Sequence, residues 1–233
     1  MTRPPTPPGS RPGAGPGAPP GARPRTPDAY FEDMYRGTED PWRLAERWYE
    51  RRKYDLTVAA LPLPRYRRAF EPGCSVGELT RRLAARCDAV LACDRVESAV
   101  ETARGRTRDL PNVEVRRLLL PQEWPDGSFD LVVLSELLYY LDAAALDGLL
   151  ARAVAALEPD GTLVGVHWDH PVPDHLTTGT GIARRLAEEP GLALAADHRE
   201  EDFVLQVYRR TGPDGRPPRS VAAREGLTPE SPA

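Results

Sequence analysis

The chain has 233 residues and a formal net charge of −4 at pH 7, from 31 Lys and Arg against 35 Asp and Glu. This net charge gives no global electrostatic basis for nucleic-acid binding and favours a small-molecule or sugar substrate. This length suits one α/β domain with a full core, but two substantial domains would have too little chain once the flanks are set aside. No apolar run approaches the roughly 20 residues that cross a bilayer, and the amino terminus lacks the apolar region of a secretory signal, so we expect a cytoplasmic protein with no membrane partner.

Proline and glycine make up more than half of residues 1–27. Such a segment cannot bury enough apolar surface to offset the entropy of ordering, and we predict that it is disordered. Residues 211–233 contain no periodic apolar pattern and are predicted to be disordered as well. The intervening residues are predicted to form one domain, with an amino-terminal helical segment at 28–64 and an α/β core at 65–210.

Strand and helix patterns alternate along the predicted core. In chain order they are a strand at 66–71, a helix at 77–87, a strand at 89–94, a helix at 96–109, strands at 113–118 and 129–136, a helix at 142–161 that closes on a Pro-Asp-Gly turn, a strand at 162–168 and a helix at 181–191. Residues 192–210 are predicted to form a hairpin, because too few residues separate its two strands for a parallel crossover. This order predicts an α/β fold with a doubly wound, mostly parallel seven-stranded sheet and an antiparallel hairpin strand near the carboxyl terminus.

The peptide EPGCSVG, residues 71–77, joins the first predicted strand to the helix that follows it. Its glycines, Gly73 and Gly77, have GxxxG spacing, which differs from the GxGxxG of dehydrogenases and is a weak signal by itself. Glycine at these positions permits positive φ in the turn and close approach of a ligand at the helix start. For an isolated GxxxG, two helix-capping glycines without a ligand are the favoured interpretation.

Acidic residues end the first two predicted strands, at Glu71 and Asp94. If these strands are neighbours in a parallel sheet, Asp94 can accept two hydrogen bonds from a ribose diol. Glu71 would repel a phosphate but suits a ligand with an ammonium group. The two carboxylates therefore favour a nucleoside that carries an amino acid over a dinucleotide.

Four motifs resemble, in their order, the pattern of class I S-adenosylmethionine-dependent methyltransferases: FEPGCSVGELT, LACD, WPDGSFDLVVLSELLYYL and LEPDGTLVGVHW. That pattern has an acidic residue before a glycine-rich loop, an acidic end to the second strand, and P-x-G-x-F-D before the fourth. Within this superfamily the chain is most similar to the nodulation protein S-like (NodS-like) methyltransferases, which share the stretch MYRGTEDPW and a following ERRKY-type segment. The resemblance covers about residues 28–209.

The resemblance implies a Rossmann-like fold with S-adenosyl-L-methionine as cofactor. It implies that the loop surrounds the methionine part of the cofactor, that the first acidic residue supports the amino group and that Asp94 holds the ribose hydroxyls. The implied loop contacts are Glu71, Gly73, Cys74, Ser75 and Gly77. Ser75 replaces the usual middle glycine, which carries a conformational cost if the position needs positive φ.

The amino-terminal segment, residues 28–64, has two interpretations. The resemblance favours a lid that closes over the cofactor and excludes water, with Tyr35, Trp42 and Arg52 near the ligand. In the alternative, a plain helix pair covers the sheet with Trp42 and Trp48 in the core, and the arginines form a solvated face.

Candidates for the acceptor side lie at the carboxyl ends of the fourth and fifth predicted strands, where open α/β sheets bind ligands. Ser135 is a further predicted cofactor contact, and Glu136 and Tyr139 are predicted catalytic residues. His167 is the first choice for a base or an acceptor-orienting group. A hydrogen-bonded core histidine explains His167 equally well, and helix packing is the favoured explanation of the tyrosine.

No metal site is predicted. The three cysteines, Cys74, Cys87 and Cys93, form no CxxC pair, which argues against a disulfide framework or a zinc site. The histidines and aspartates within 167–175 do not have a standard zinc spacing, and methyl transfer needs no Lewis acid.

The NodS-like resemblance implies N-methylation of an amino sugar, an oligosaccharide or a related small-molecule amine, because the nodulation relatives methylate a deacetylated chito-oligosaccharide. Two alternatives stay open: an O- or C-methyltransferase of secondary metabolism, and a non-catalytic S-adenosylmethionine-binding module. Methyl transfer from a sulfonium moves positive charge rather than creating it, so positioning can supply much of the acceleration and a strong base is optional. The oligomeric state is not predicted.

Overall fold

The computed structural model describes residues 26–228, and the predicted disorder of residues 1–25 and 229–233 lies outside these described residues. None of the helices between residues 26 and 228 is long and apolar enough to cross a bilayer. The elements are α1 (Asp28–Tyr35), α2 (Trp48–Ala59), β1 (Tyr66–Pro72), α3 (Glu78–Ala84), β2 (Cys87–Asp94), α4 (Glu97–Thr107), β3 (Val113–Arg117), β4 (Phe129–Ser135), a 3₁₀ turn (Leu138–Tyr140), α5 (Ala143–Ala156), β5 (Leu157–Trp168), α6 (Gly179–Ala187), β6 (Leu192–Arg199), β7 (Phe203–Arg210) and α7 (Val221–Arg224).

The seven strands form one sheet in the order β3-β2-β1-β4-β5-β7-β6. Strands β3, β2, β1, β4 and β5 are parallel, and β7 runs antiparallel between β5 and β6. The predicted fold class, a doubly wound and mostly parallel sheet with an antiparallel hairpin strand, is confirmed. Strand order reverses at β1, which lies between β2 and β4. Open α/β sheets bind ligands at such a reversal, outside the carboxyl ends of the strands.

Both faces of the central strands are buried, which accounts for their almost continuous apolar composition, whereas the edge strand β6 is largely exposed. Ala69 pairs with Val90, and both belong to the core that α2 and α3 cover. The next pair, Phe70 with Leu91, belongs to the core that α5 and α6 cover. Because side chains alternate along a strand, Glu71 projects to the same face as Ala69.

The predicted turn at residues 158–161 lies inside β5 instead of between α5 and β5. The pairs on either side of it, Leu157 with Phe129 and Thr162 with Leu131, show a register shift. This segment contains a proline, which has no N–H for the ladder, and an aspartate with positive φ, both of which are turn signals. The sequence pattern therefore showed the turn but not the strand pairing that continues on both sides of it.

The predicted carboxyl-terminal tail begins at residue 211, and the structure describes its residues 211–228. They include the one-turn helix α7, from which Arg224 donates a hydrogen bond to Asp160 Oδ2 at 3.2 Å. Residues 211–228 therefore form local secondary structure although they have no apolar periodicity. The limits of the domain stay a prediction.

Candidate active site

The loop between β1 and α3 folds back over the end of β2. Its residues Gly73, Ser75 and Gly77 all have positive φ, of 74°, 49° and 81°. The main-chain N–H groups of Gly73 and Cys74 donate to the carbonyl oxygen of Cys93 at 2.7 and 2.9 Å. The left-handed conformation costs serine about 1–2 kcal/mol, so the contacts around Ser75 must maintain it.

Gly77 is required by packing as well as by its φ angle, because a Cβ there would lie 3.1 Å from Ala103 Cβ. We expect Gly77→Ala to lower the free energy of unfolding by about 1–3 kcal/mol in urea denaturation. Gly105→Ala is the matched control. Gly105 lies in α4, and a Cβ there would meet nothing within 4 Å. The free energy of unfolding of Gly105→Ala should therefore rise by about 0.5–1 kcal/mol. Equal changes in the two variants would contradict the packing argument.

Asp94 ties this loop to the end of β2. Its Oδ2 accepts a hydrogen bond from Ser75 N at 2.9 Å, and its Oδ1 accepts one from Val96 N at 3.0 Å. Since Glu71 pairs with Ala92, Asp94 projects to the same face of the sheet as Glu71. The structure thus brings the two predicted cofactor carboxylates together at one edge. Each oxygen of Asp94 can accept a further hydrogen bond.

Glu71 is only 2 % exposed, and its Oε2 accepts a hydrogen bond from Thr80 Oγ1 at 2.6 Å. Burial raises the pKa of Glu71 to about 8, against the opposing effect of Thr80, and the nearby Asp94 raises it further. No cation among the described residues lowers this pKa. A buried carboxyl group of this kind is neutral near pH 7 until a cation arrives, which fits a ligand with an ammonium group.

The segment that includes α1 covers the loop, and two of the predicted lid residues lie there. The hydroxyl of Tyr35 is 2.5 Å from Ser75 Oγ, and its ring meets Trp42 edge to face at 5.6 Å between centroids. Tyr35 also packs with Val76 and Val96. The other end of α1 reaches the acceptor side, because Tyr30 OH donates to Asp174 Oδ2 at 3.3 Å. These contacts place the segment where a lid would act.

The third predicted lid residue, Arg52, contacts the β6–β7 hairpin. Its guanidinium donates two hydrogen bonds to the carboxylate of Glu200, at 2.6 and 2.8 Å, in the turn between β6 and β7. Trp48 is 68 % exposed, so its alternative assignment to the core is wrong. Arg52 therefore interacts with the hairpin, and its predicted contact with the cofactor stays a prediction.

Glu136 follows β4 directly and has a positive φ of 54°. Its Oε1 accepts a hydrogen bond from Lys53 Nζ at 2.6 Å, and its Oε2 accepts from Trp168 N at 3.1 Å and from the Tyr139 hydroxyl. Burial opposes its ionisation, but Lys53, His167 and these hydrogen bonds outweigh burial and lower the pKa of Glu136. The carboxylate is thus an anion at the strand end.

His167 is buried at the end of β5, and its Nε2 accepts a hydrogen bond from Leu138 N at 3.3 Å. Burial lowers its pKa to about 4, so the ring is neutral near pH 7. Its ring meets that of Tyr139 at 5.4 Å between centroids. These are the contacts of a hydrogen-bonded core histidine, and they leave Glu136 as the better placed of the two groups. Ser135, the last residue of β4, is also buried.

His175 was not predicted as a site residue, although it lies within the histidine-rich segment. Its ring stacks on Tyr139 with 3.7 Å between centroids. His175 is 9 % exposed, and its Nδ1 has no hydrogen-bond partner among residues 26–228. Burial lowers its pKa to about 4. The acceptor side therefore holds a neutral imidazole with one buried nitrogen that makes no hydrogen bond within residues 26–228.

Lys53 and Glu50 were also missed. Lys53 Nζ lies 2.6 Å from Glu136 Oε1 and 2.9 Å from Glu50 Oε2. The i,i+3 spacing of the two α2 residues was visible in the ERRKY segment, but no role was predicted for either residue. Both side chains are buried. The signal that could have identified them is the unusual burial of a lysine, which only the packed helix shows.

No group of three or more His, Cys, Asp or Glu side chains between residues 26 and 228 is arranged to hold a metal ion. Cys74, Cys87 and Cys93 are all free and buried, and burial raises the pKa of the Cys74 thiol well above its ordinary value. Cys74 is thus a neutral small residue within the loop.

The sequence comparisons with known proteins point to one family. The sequence model for Nodulation protein S (NodS) matches residues 32–170. Nodulation protein S of Rhizobium tropici is 29% identical over 181 residues, which are 73% of this chain and 76% of that protein.

Two crystal structures are similar over the whole of their own chains. A Pseudomonas syringae protein provisionally described as a methyltransferase is 48% identical, covers 70% of this chain and has a TM-score of 0.63. N-methyltransferase NodS from Bradyrhizobium japonicum WM9, in complex with S-adenosyl-L-homocysteine, is 25% identical, covers 79% of this chain and has a TM-score of 0.71.

The family match spans more than half of the chain and includes both sides of the site. It contains the loop at 71–77, Asp94, Lys53, Glu136 and the end of β5. This chain is a member of the Nodulation protein S (NodS) family.

Proposed function

We propose that this protein, an S-adenosylmethionine-dependent methyltransferase by its family, methylates the amino group of an amino sugar, an oligosaccharide that carries one, or a related small-molecule amine. The observation that carries the proposal is Glu136, an anionic carboxylate at the carboxyl end of β4 whose side chain is 23% exposed. A carboxylate in this position can accept the N–H of an amine. The description of the Bradyrhizobium relative as an N-methyltransferase supports the same reaction.

The residues of the loop suit the cofactor. Glu71 would pair with its ammonium group, which supplies the cation that this buried carboxyl group lacks. Asp94 would accept the ribose hydroxyls with its remaining lone pairs, beside Gly73 to Gly77 of the loop. Tyr35 and Trp42 would exclude water from above. When bound, S-adenosylmethionine supplies an electrophilic methyl group.

On the acceptor side, the residues of this chain orient the amine. Glu136 accepts one N–H and so directs the nitrogen lone pair away from the carboxylate. The same anion stabilises the positive charge that appears on the nitrogen, which favours the transition state over the neutral acceptor. Tyr139 donates its hydroxyl to Glu136, and neutral His167 fixes the start of the 3₁₀ turn through Leu138 N.

The proposal is tested by transfer of a labelled methyl group to amine acceptors. We expect labelling of a deacetylated chito-oligosaccharide and no labelling of its fully N-acetylated counterpart, which matches it in size but lacks the free amine. Mass spectrometry should place the methyl group on nitrogen. Labelling of a phenol with no labelling of any amine would instead show an O-methyltransferase. Binding of S-adenosylmethionine without turnover on a broad acceptor panel would show a non-catalytic module.

A further inference from the structure

Lys53 lies in a largely buried cluster of three charged side chains, and none of the three is a predicted cofactor contact. Its ammonium contacts Glu50 Oε2 at 2.9 Å and Glu136 Oε1 at 2.6 Å. The side chains of Lys53 and Glu50 are 3% and 9% exposed, against 23% for Glu136. A buried ammonium is tolerated only where carboxylates pair with it. Only one of its two partners, Glu136, has substantial accessible surface.

Contacts from three other residues fix the side-chain conformation of Glu136. Lys53 holds one carboxylate oxygen, and Trp168 N and the Tyr139 hydroxyl hold the other. Its main-chain N–H donates to Val166 O at 2.8 Å, although its φ of 54° is unfavourable for a residue with a side chain. Strained backbone persists where surrounding contacts over-determine it, and it is concentrated at functional sites.

Helix α2 supplies the groups that face Glu136 from one side. Besides Lys53 and Glu50 they are Tyr49 and Tyr54, and burial raises the pKa of both tyrosines. Burial likewise raises the pKa of Glu50, although Lys53 opposes this. The Lys53 ammonium lies 5.0 Å from the centroid of the Tyr49 ring. Lys53 is therefore the only cation that α2 presents to Glu136 within the described structure.

The 3₁₀ turn, β5 and the loop after β5 supply the facing groups on the other side. Tyr139 and Tyr140 are neutral, because burial raises the pKa of each well above its ordinary value. His167 and His175 are neutral near pH 7, because burial lowers the pKa of each to about 4. None of these four groups can replace the charge of Lys53.

We propose that Lys53, anchored by Glu50, is a positioning residue for methyl transfer: its ammonium holds the Glu136 carboxylate as an anion in one orientation, so that Glu136 accepts the N–H of a neutral acceptor amine. In the step that this serves, the nitrogen lone pair forms the N–C bond and the C–S bond breaks with its electron pair left on sulfur. Nitrogen gains the positive charge that sulfur loses, and Glu136 stays ionised. This inference rests on the proposed function.

The first test needs no turnover. We would follow the ¹³C signal of the Glu136 carboxyl group by NMR as the pH changes, with the signal assigned from its loss in Glu136→Gln. In the wild type, Glu136 should stay ionised from about pH 5 to 8. In Lys53→Met, which keeps the length of the side chain and removes its charge, the midpoint should rise by about 1 to 3 pH units. An unchanged midpoint would overturn the proposal.

The second test is kinetic, with the deacetylated chito-oligosaccharide as acceptor. Lys53→Met should move the ascending limb of the kcat profile to higher pH and lower kcat at pH 7 by about tenfold or more. The KM of the acceptor and the affinity for S-adenosylhomocysteine should stay within about threefold, because the ammonium of Lys53 contacts Glu50 and Glu136 and is proposed to act only through Glu136. A loss of kcat with an unmoved pH profile would mean that Lys53 is only structural.

Two further variants keep the proposal open to refutation if Lys53→Met does not fold. Lys53→Arg preserves the charge and should retain the wild-type midpoint of Glu136. Glu50→Gln preserves the size of the anchor and keeps an amide oxygen that can accept from the ammonium, but it removes a competing anion, so the midpoint should stay or fall. A rise of the midpoint in either variant would overturn the proposal. If the wild type methylates no amine at all, the proposed function fails, whereas the carboxyl titration still decides whether Lys53 controls Glu136.

Discussion

Glu136→Gln is expected to lower kcat for amine methylation by about 10²- to 10³-fold, which is the range for loss of one preorganised charge-stabilising group. The amide keeps the size of the side chain but removes the negative charge that stabilises the positive charge on nitrogen. Initial rates with labelled S-adenosylmethionine measure the effect. Affinity for S-adenosylhomocysteine should stay within about twofold, because Glu136 belongs to the acceptor side.

Glu158→Gln is the matched control for this variant. The Glu158 side chain is 21% exposed, close to the value for Glu136, and it also pairs with a cation, Arg67. It lies at the start of β5, at the opposite end of the sheet from the site. The methylation rate of Glu158→Gln should therefore equal that of the wild type within about threefold. A Glu136→Gln enzyme that retains more than a tenth of wild-type kcat would contradict the assigned role.

The second large effect is expected at Glu71. Because burial raises the pKa of this carboxyl group to about 8, it is protonated in the ligand-free protein at pH 6 to 7. An ammonium ligand needs the anion, so binding must release that proton. Affinity for S-adenosylhomocysteine should then rise about tenfold for each pH unit between about pH 6 and 7.5. Calorimetry in two buffers of different ionisation enthalpy should detect the released proton.

Glu71→Gln should remove both the pH dependence and the proton release. The variant should also bind at least about 30-fold more weakly at pH 8, where loss of a buried charged partner costs about 2 kcal/mol or more. Glu78→Gln is the control, because Glu78 starts the next helix but pairs with Arg82 and Arg106 at its surface. Affinity that is independent of pH in the wild type would contradict the neutral, buried state of Glu71.

The fold was predictable because it depends on local patterns. Strands β1 to β4 are short apolar runs bounded by turn residues, and each predicted start and end lies within two residues of the observed one. The helices between them were visible from apolar spacing and glycine or proline stops. The exception, the start of β5, depends on pairing of Leu157 with Phe129. No periodicity within β5 indicates a contact with a strand that ends more than twenty residues earlier.

The cofactor side of the site was largely predictable for a similar reason. Glu71 and Asp94 end strands that lie side by side, so a parallel sheet necessarily brings their side chains to one edge. Tyr35 contacts Ser75 of the loop and packs against Trp42, whereas Arg52 contacts Glu200. The cofactor contacts themselves stay predictions.

The sequence by itself determined the order of the elements, the glycine-containing loop after β1, and the two carboxylates at neighbouring strand ends, because local sterics and strand alternation dictate all of these. The left-handed conformation of Ser75 appeared only in the structure. Only the tertiary structure decided which face of α2 is buried. Successive residues of a helix point about 100° apart, and α2 carries aromatic and charged residues on every side. The packing of α2 against the rest of the domain therefore buries the side chain of Lys53 and leaves that of Arg52 partly exposed. This packing brings Lys53 to Glu136, 83 residues further along the chain.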